Sequence, residues 1–367
     1  RQHSKEENID IREASMDGTR IVYRRGADLK LLDLSTGVTR RLEIDLPSDF
    51  EHTREQWIDD PMDDITSAAI SPNGDRIAVT VRGEVFVFPV KQGRRVEVTR
   101  RADVRYRGAR FVGDGARLAA MSDESGEVEL WTLPADGLGE RAQHTDDSTV
   151  LPWTFELSPD GTRAAVADKD FKLWVIDTES GARTLVQEGG YWLIEHLAWS
   201  PDGRWLAYEW PSTQDFATQV MLHDVETNTT RAVTTLGYNS FDPVFHPGGE
   251  WLYFLSDRNF RSVVNDPWGA HQPEPFFDRP TKVYALALRP GARSPFMQKT
   301  ELDADEPKKD EKPEDGKDDD EPKPVEVVVE LDGLAARVHD VPIAAGNTSG
   351  LVVTKEHIYW HTSDSHE

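Results

Sequence analysis

The sequence predicts an all-β fold, a β-propeller of four-stranded blades. Two observations carry that prediction: a turn phrase that returns at blade-length intervals, and the strand pattern around each copy. The phrase reads Ser71-Pro72-Asn73-Gly74, Ser158-Pro159-Asp160-Gly161 and Ser200-Pro201-Asp202-Gly203. Worn copies stand at Ser15-Met16-Asp17-Gly18, Val112-Gly113-Asp114-Gly115 and His246-Pro247-Gly248-Gly249. From Ser71 onward the copies lie 41, 46, 42 and 46 residues apart, the period of a propeller blade.

Each copy is read as a turn between two strands. Proline presets φ, Asp or Asn tolerates the bend, and Gly supplies a positive φ. A short apolar stretch precedes the turn (Leu197-Ala198-Trp199), and a charged residue with a second apolar strand follows it (Arg204 to Glu209). A third strand often ends near an Asp, as in Leu173 to Asp177 or Val220 to Asp224. A second turn, such as Thr178-Glu179-Ser180-Gly181, leads to a more polar fourth strand. Apolar central strands with a polar last strand suit a blade whose outer edge meets water. No segment carries a long helical period.

The repeats break at residues 46–64, which read either as a long surface loop or as a junction; in the second reading residues 1–45 are the last blade of a first propeller and residues 65–367 a second propeller truncated at its C-terminal end. The junction stretches the first repeat step to 56 residues, from Ser15 to Ser71. Two further stretches break the pattern. Residues 258–280 form an insertion rich in Pro and aromatics, and residues 301–324 form an acidic loop with almost no apolar residue, expected to be disordered. Gly350 to Val353 and His357 to Trp360 look like the first strands of a blade that is not finished. That stop, and a start at Arg1 without Met, are read as the marks of a fragment of a longer protein.

Composition excludes several functions. The formal charge is −25, and residues 301–324 hold 12 acids and 5 bases, so the remainder is still near −18. Such a surface repels phosphates, which argues against nucleic acid and anionic membranes. With no Cys, disulfides and thiolate metal sites are impossible. No apolar run approaches the length of a membrane span.

No active site is visible, so no catalytic, cofactor-binding or metal-ligating residue is assigned, and no cofactor is expected. Ser71, Ser158 and Ser200 belong to repeated turns, and repetition is the mark of scaffold. There is no Gly-x-Ser-x-Gly elbow; Ser349-Gly350 is read as a glycine-flanked turn. His357 and His361 are spaced i, i+4, which on a strand separates them by roughly 13 Å, too far to share a metal. His246 replaces a turn serine and is read as structural. Asp59-Asp60 and Asp63-Asp64 carry no specific signal in so acidic a chain.

The run Phe241 to Arg258 (FDPVFHPGGEWLYFLSDR), the segment Arg293-Ser294-Pro295-Phe296, and Val341 to Leu351 (VPIAAGNTSGL) resemble the propeller region of tricorn proteases. The junction ending at Ile65 and the strand around Arg82-Gly83-Glu84-Val85-Phe86 are similar to that family's passage from first to second propeller. The shorter turn pieces are shared with TolB-like and WD40-like propellers. The resemblance implies a large serine peptidase with PDZ and catalytic modules downstream of two propellers, degrading short peptides that its propellers gate. It also implies a cytoplasmic setting, or a periplasmic one if a signal peptide preceded Arg1, and a possible homo-oligomer. The family's catalytic Ser and His have no counterpart in this chain. A TolB-like protein-interaction module and the propeller of a prolyl-oligopeptidase-type enzyme are the alternatives.

Deleting residues 301–324 is expected to shift the melting temperature by less than about 2 °C, because loop-closure entropy varies slowly with length. Calorimetry of the deletion variant checks this, and a drop of many degrees would show that the tract is packed.

Overall fold

The computed structural model describes residues 10–45, 47, 57–101, 103–214, 216–260, 277–297 and 325–363. The acidic tract 301–324 and residues 261–276 of the predicted insertion lie outside them. The chain forms two compact units, residues 1–59 and 60–367. The first holds one antiparallel sheet, β1 (Ile11–Asp17), β2 (Arg20–Arg25), β3 (Asp28–Asp33) and β4 (Thr39–Arg41), in sequential order. Within it Tyr23 and Leu32 are buried.

The second unit opens with a short 3-10 turn, Pro61–Asp64, and then repeats one sheet design. Blade 1 is β5 (Ile65–Ile70), β6 (Arg76–Val81), β7 (Glu84–Pro89) and β8 (Val96–Glu97). Blade 2 is β9 (Tyr106–Val112), β10 (Arg117–Ser122), β11 (Glu129–Pro134) and β12 (Ala142–Gln143). Blade 3 is β13 (Pro152–Leu157), β14 (Arg163–Asp168), β15 (Lys172–Asp177) and β16 (Arg183–Glu188). Blade 4 is β17 (Leu197–Trp199), β18 (Trp205–Pro211), β19 (Thr218–Asp224) and β20 (Thr229–Ala232). Blade 5 is β21 (Ser240–Phe245), β22 (Trp251–Asp257), β23 (Thr281–Ala287) and β24 (Val338–Asp340), and β25 (Asn347–Val353) pairs with β26 (Ile358–Ser363) as the inner hairpin of a sixth. All pairings are antiparallel meanders, as the blade pattern predicts.

The apolar middle strands follow from what each face touches. Side chains alternate across a strand, and here both faces are covered. On β18, Trp205 and Ala207 pack toward blade 5, whereas Leu206 and Tyr208 pack toward blade 3. On β14, Ala164 and Val166 join blade 2, and Ala165 and Ala167 join blade 4. On β22, Leu252 and Phe254 face blade 4, while Trp251, Tyr253 and Leu255 face the β25–β26 hairpin. Each core therefore lies between two blades. Successive first strands also meet: β9 packs on β5, β13 on β9, β17 on β13, β21 on β17 and β25 on β21. The first strand of every blade thus faces a common axis.

The repeated turn closes as its residue types require. Gly74 N–H donates to Ser71 O at 2.8 Å, Gly161 to Ser158 O at 2.8 Å and Gly203 to Ser200 O at 2.9 Å. The serine hydroxyl accepts from the first N–H of the second strand, Arg76 at 2.9 Å, Arg163 at 3.0 Å and Trp205 at 2.8 Å. It donates to a turn aspartate, Asp75, Asp160 or Asp202. All three serines are buried and hold the turn. The aspartate that ends the third strand organises the next turn in the same manner: Asp177 accepts from Ser180 N–H at 2.7 Å. His246 also serves its turn, its Nδ1 accepting from Gly248 N–H at 3.0 Å.

Ser349-Gly350 is not a turn. It sits inside β25 at a bulge, with Gly350 at φ +63. The chain leaving the acidic tract carries no assignment in the sequence. Val327 enters the core beside Trp205, and its N–H donates to Asp202 at 2.8 Å. The start of the insertion is likewise fixed, since the Arg258 guanidinium lies 4.5 Å from the Tyr284 ring centre.

Gly74 and Gly161 hold the same turn position at φ +71 and +72, but a Cβ on Gly74 would meet nothing within 4 Å, whereas one on Gly161 would collide with Val112 Cγ1. Gly74→Ala should cost about 1 kcal/mol from the left-handed backbone alone. Gly161→Ala should cost roughly 2–3 kcal/mol, because the χ1-restricted valine must also shift. Urea unfolding of the two variants measures the difference, and equal losses would contradict the close blade contact.

Candidate functional site at the inner rim

The axis-facing strands are not regular. β5, β13, β21 and β25 each break register with the strand beside them, and so does β9. Bulges re-aim side chains and free backbone groups. In β21 the bulged residue is Asp242, at φ +51 and directly before Pro243. Its side chain offsets the strain of that backbone by accepting from Leu351 N–H, on the next hairpin, at 2.7 Å.

Behind Asp242 stands Glu209, an acid in the otherwise apolar strand β18 and only 6% exposed. One of its oxygens accepts from Glu195 N–H at 3.0 Å. The other accepts from His196 Nδ1–H at 2.9 Å and from Asp242 N–H at 3.4 Å. Burial works against a charge on His196, yet the Glu209 hydrogen bond and the charges of Glu209, Asp242 and Glu195 lift it to about 9. Burial, reinforced by Glu209, pushes Asp242 up, while the Leu351 N–H and His196 restrain it. Donor atoms of Glu195, His196 and Glu209 lie within 4.8 Å of one another, a metal-ligand composition. The imidazole, however, holds its proton for Glu209, and both Glu209 oxygens are engaged by N–H donors. The set is therefore a hydrogen-bonded acid–histidine cluster with one exposed carboxylate, Glu195.

Blades 1 and 2 carry both signs. Arg82, Arg105, Arg107 and Arg110 line a cleft of about 840 Å³ together with Asp64, Glu84, Asp103, Asp123 and Trp153. Arg107 Nη2–H donates to Pro152 O at 3.0 Å, and burial together with neighbouring Arg105 pushes its pKa down. Arg110 pairs with Glu156 at 3.0 Å and lies over the Phe155 ring. Burial raises the Glu156 carboxyl despite that partner. A second cleft of about 480 Å³ shares Arg110 and Phe155 with the first and continues to Glu195, His196 and Asp242. The inner surface is thus mixed in charge on blades 1–2, where arginines and carboxylates are balanced, and richer in carboxylates toward blades 4–5, with the Arg110–Glu156 pair between.

The family model for the tricorn protease second beta propeller domain matches residues 65–367. The chain belongs to the tricorn protease family. It is 29% identical over 299 residues to the tricorn protease homolog of Saccharolobus solfataricus, covering 81% of this chain and 26% of that protein. It is 28% identical over 379 residues to tricorn protease homolog 1 of Streptomyces coelicolor, covering 98% of this chain and 33% of the relative. The crystal structure of the tricorn protease superposes on 96% of this chain and 32% of its own, with a TM-score of 0.63 at 20% identity. The chain therefore spans about a quarter to a third of the length of these relatives. No helix among the described residues is long and apolar enough to cross a membrane.

Within this tricorn propeller, none of the residues weighed from sequence reaches the charged rim except Asp64, which accepts from Arg82 Nη1 at 3.0 Å. His361 lies on β26 opposite Ser349, and His357 precedes that strand with its ring against Tyr359. The rim residues went unassigned in sequence. Asp242 stood inside the family-like run without a role, and Glu209 was visible only as an acid interrupting WLAYEWP.

The His196 pair sets a pH dependence. Its folded pKa of about 9 exceeds the ordinary 6.5, so its stabilisation is complete below about pH 6.5 and is lost as pH rises through about 9. The side chain is 41% exposed, and screening reduces the effect to about 1 kcal/mol. Chemical denaturation from pH 6.5 to 10 should show wild type losing about that much more than His196→Gln; parallel curves would exclude the charged pair.

Proposed function

We propose that this chain is the non-catalytic propeller portion of a tricorn-type serine peptidase, and that its axial surface filters short peptides for degradation. The observation that carries the reading is the inner rim, two adjoining clefts lined by both arginines and carboxylates. A wall carrying both signs can hold an extended peptide by its own charges and its backbone, without demanding one sequence. In this reading residues 1–45 are the last blade of a first propeller, 46–64 the junction, and 65–367 an incomplete second propeller. The break between compact units after Asp59 falls inside that junction. The peptidase and PDZ modules belong to the same parent protein, the assembly is homo-oligomeric, and the compartment is the cytoplasm.

The test combines binding with turnover. Dye-labelled peptides of six to twelve residues should bind residues 1–367 with a Kd on the order of 100 µM, about 5 kcal/mol, in fluorescence anisotropy. The same preparation should release no fluorophore from fluorogenic peptides. Absence of binding for peptides of every composition would sink the filtering role, and turnover surviving removal of contaminating proteases would sink the non-catalytic one.

A further inference from the structure

One feature of the rim exceeds a general peptide filter. Beside the acid–histidine cluster a third cleft, of about 390 Å³, has aromatic walls and an acidic floor. The walls are Tyr191, Trp192 and Phe216, and the floor is Glu195, His196 and Glu209. Trp192 is 61% and Phe216 69% exposed, far from the usual place of such side chains. Phe216 also holds φ +57, a left-handed backbone that a bulky residue adopts only when its surroundings impose it. What imposes it is visible: Tyr191 Oη–H donates to Phe216 O at 2.5 Å, and the two rings meet edge to face at 5.3 Å.

The floor has a net negative charge to offer. His196 neutralises Glu209, and the Glu195 carboxylate has no ion-pair or hydrogen-bond partner among the described residues. Exposed aromatic faces attract cations and pack on methylene chains, and a free carboxylate beside them completes the complement of a long basic side chain. A divalent ion fits less well, because both Glu209 oxygens are already engaged by N–H donors and the imidazolium would have to lose its Nε2 proton before that nitrogen could ligate. An anionic or purely aliphatic group leaves Glu195 unanswered.

We infer that this cleft is a subsite for the Lys or Arg side chain of a bound peptide, with Tyr191, Trp192 and Phe216 packing on its stem and Glu195 pairing with its head. The inference rests on the peptide-filtering reading and adds a preference to it. The subsite selects rather than reacts.

N-acetylated, C-amidated hexapeptides carrying one central Lys or norleucine test it, titrated into the 367-residue chain by anisotropy. The Lys peptide should bind about 5- to 10-fold more tightly. Glu195→Gln should abolish that preference with the melting temperature unchanged, and Phe216→Ala should weaken the Lys peptide several-fold. Equal affinity for Lys and norleucine, or a preference that survives Glu195→Gln, would each overturn the inference. A second probe separates it from its premise. N-acetyl-lysine methylamide should shift the Trp192 indole NMR signal, assigned with Trp192→Phe, and the norleucine analogue should not. If the lysine probe acts while no peptide binds, the subsite stands and the filter falls. If peptides bind without charge preference, the filter stands and the subsite falls.

Discussion

Burial on both faces of the middle strands of blades 2 to 5 is the constraint from which the propeller follows. A sheet with one apolar face can rest on a single neighbour. These sheets carry apolar residues on both faces, so each blade needs a blade before it and a blade after it. Alternation along β18 or β14 assigns consecutive residues to different neighbours. The small residues of β14, Ala164, Ala165 and Ala167, leave room for adjacent blades to approach. The turns that start each second strand then need only hold two strands in register, which the buried serine hydroxyl does.

The parts of the fold governed by local chemistry were legible in the sequence. Turn phrases, apolar runs and strand-ending aspartates depend on a few consecutive residues, and each lies where those residues require. The order 1-2-3-4 within blades was legible for the same reason, because a short turn leaves only the adjacent antiparallel position. What failed to show was any contact made across the repeat. Val327 reaches back to Asp202, more than a hundred residues earlier, and nothing near Val327 announces it. Gly350 reads as a turn residue locally, but the neighbouring Asp242 needs the N–H of Leu351, and that places it in a bulge.

The rim was hidden for a related reason. Glu209 is one acid in a chain with 67, and Arg105, Arg107 and Arg110 are ordinary in number. Their meaning comes from position around an axis that no short window of sequence contains. Only the apolar setting of Glu209 was a local clue, since an acid in a buried strand needs donors close by. The structure supplies three donors from two segments: a backbone N–H and a histidine in the loop before β17, and a backbone N–H on the first strand of the next blade.

Glu209 therefore ties residues 195, 196 and 242 to one carboxylate, while Asp242 carries the tie onward to Leu351. In evolutionary terms these positions form a single heritable unit. An amide at 209 could still accept hydrogen bonds but would leave the imidazolium of His196 without its counter-ion, and an apolar residue would strand two backbone N–H groups as well. A neutral residue at 196 would leave Glu209 as a buried charge with backbone partners only. Viable change at this corner of the rim must therefore move several residues together.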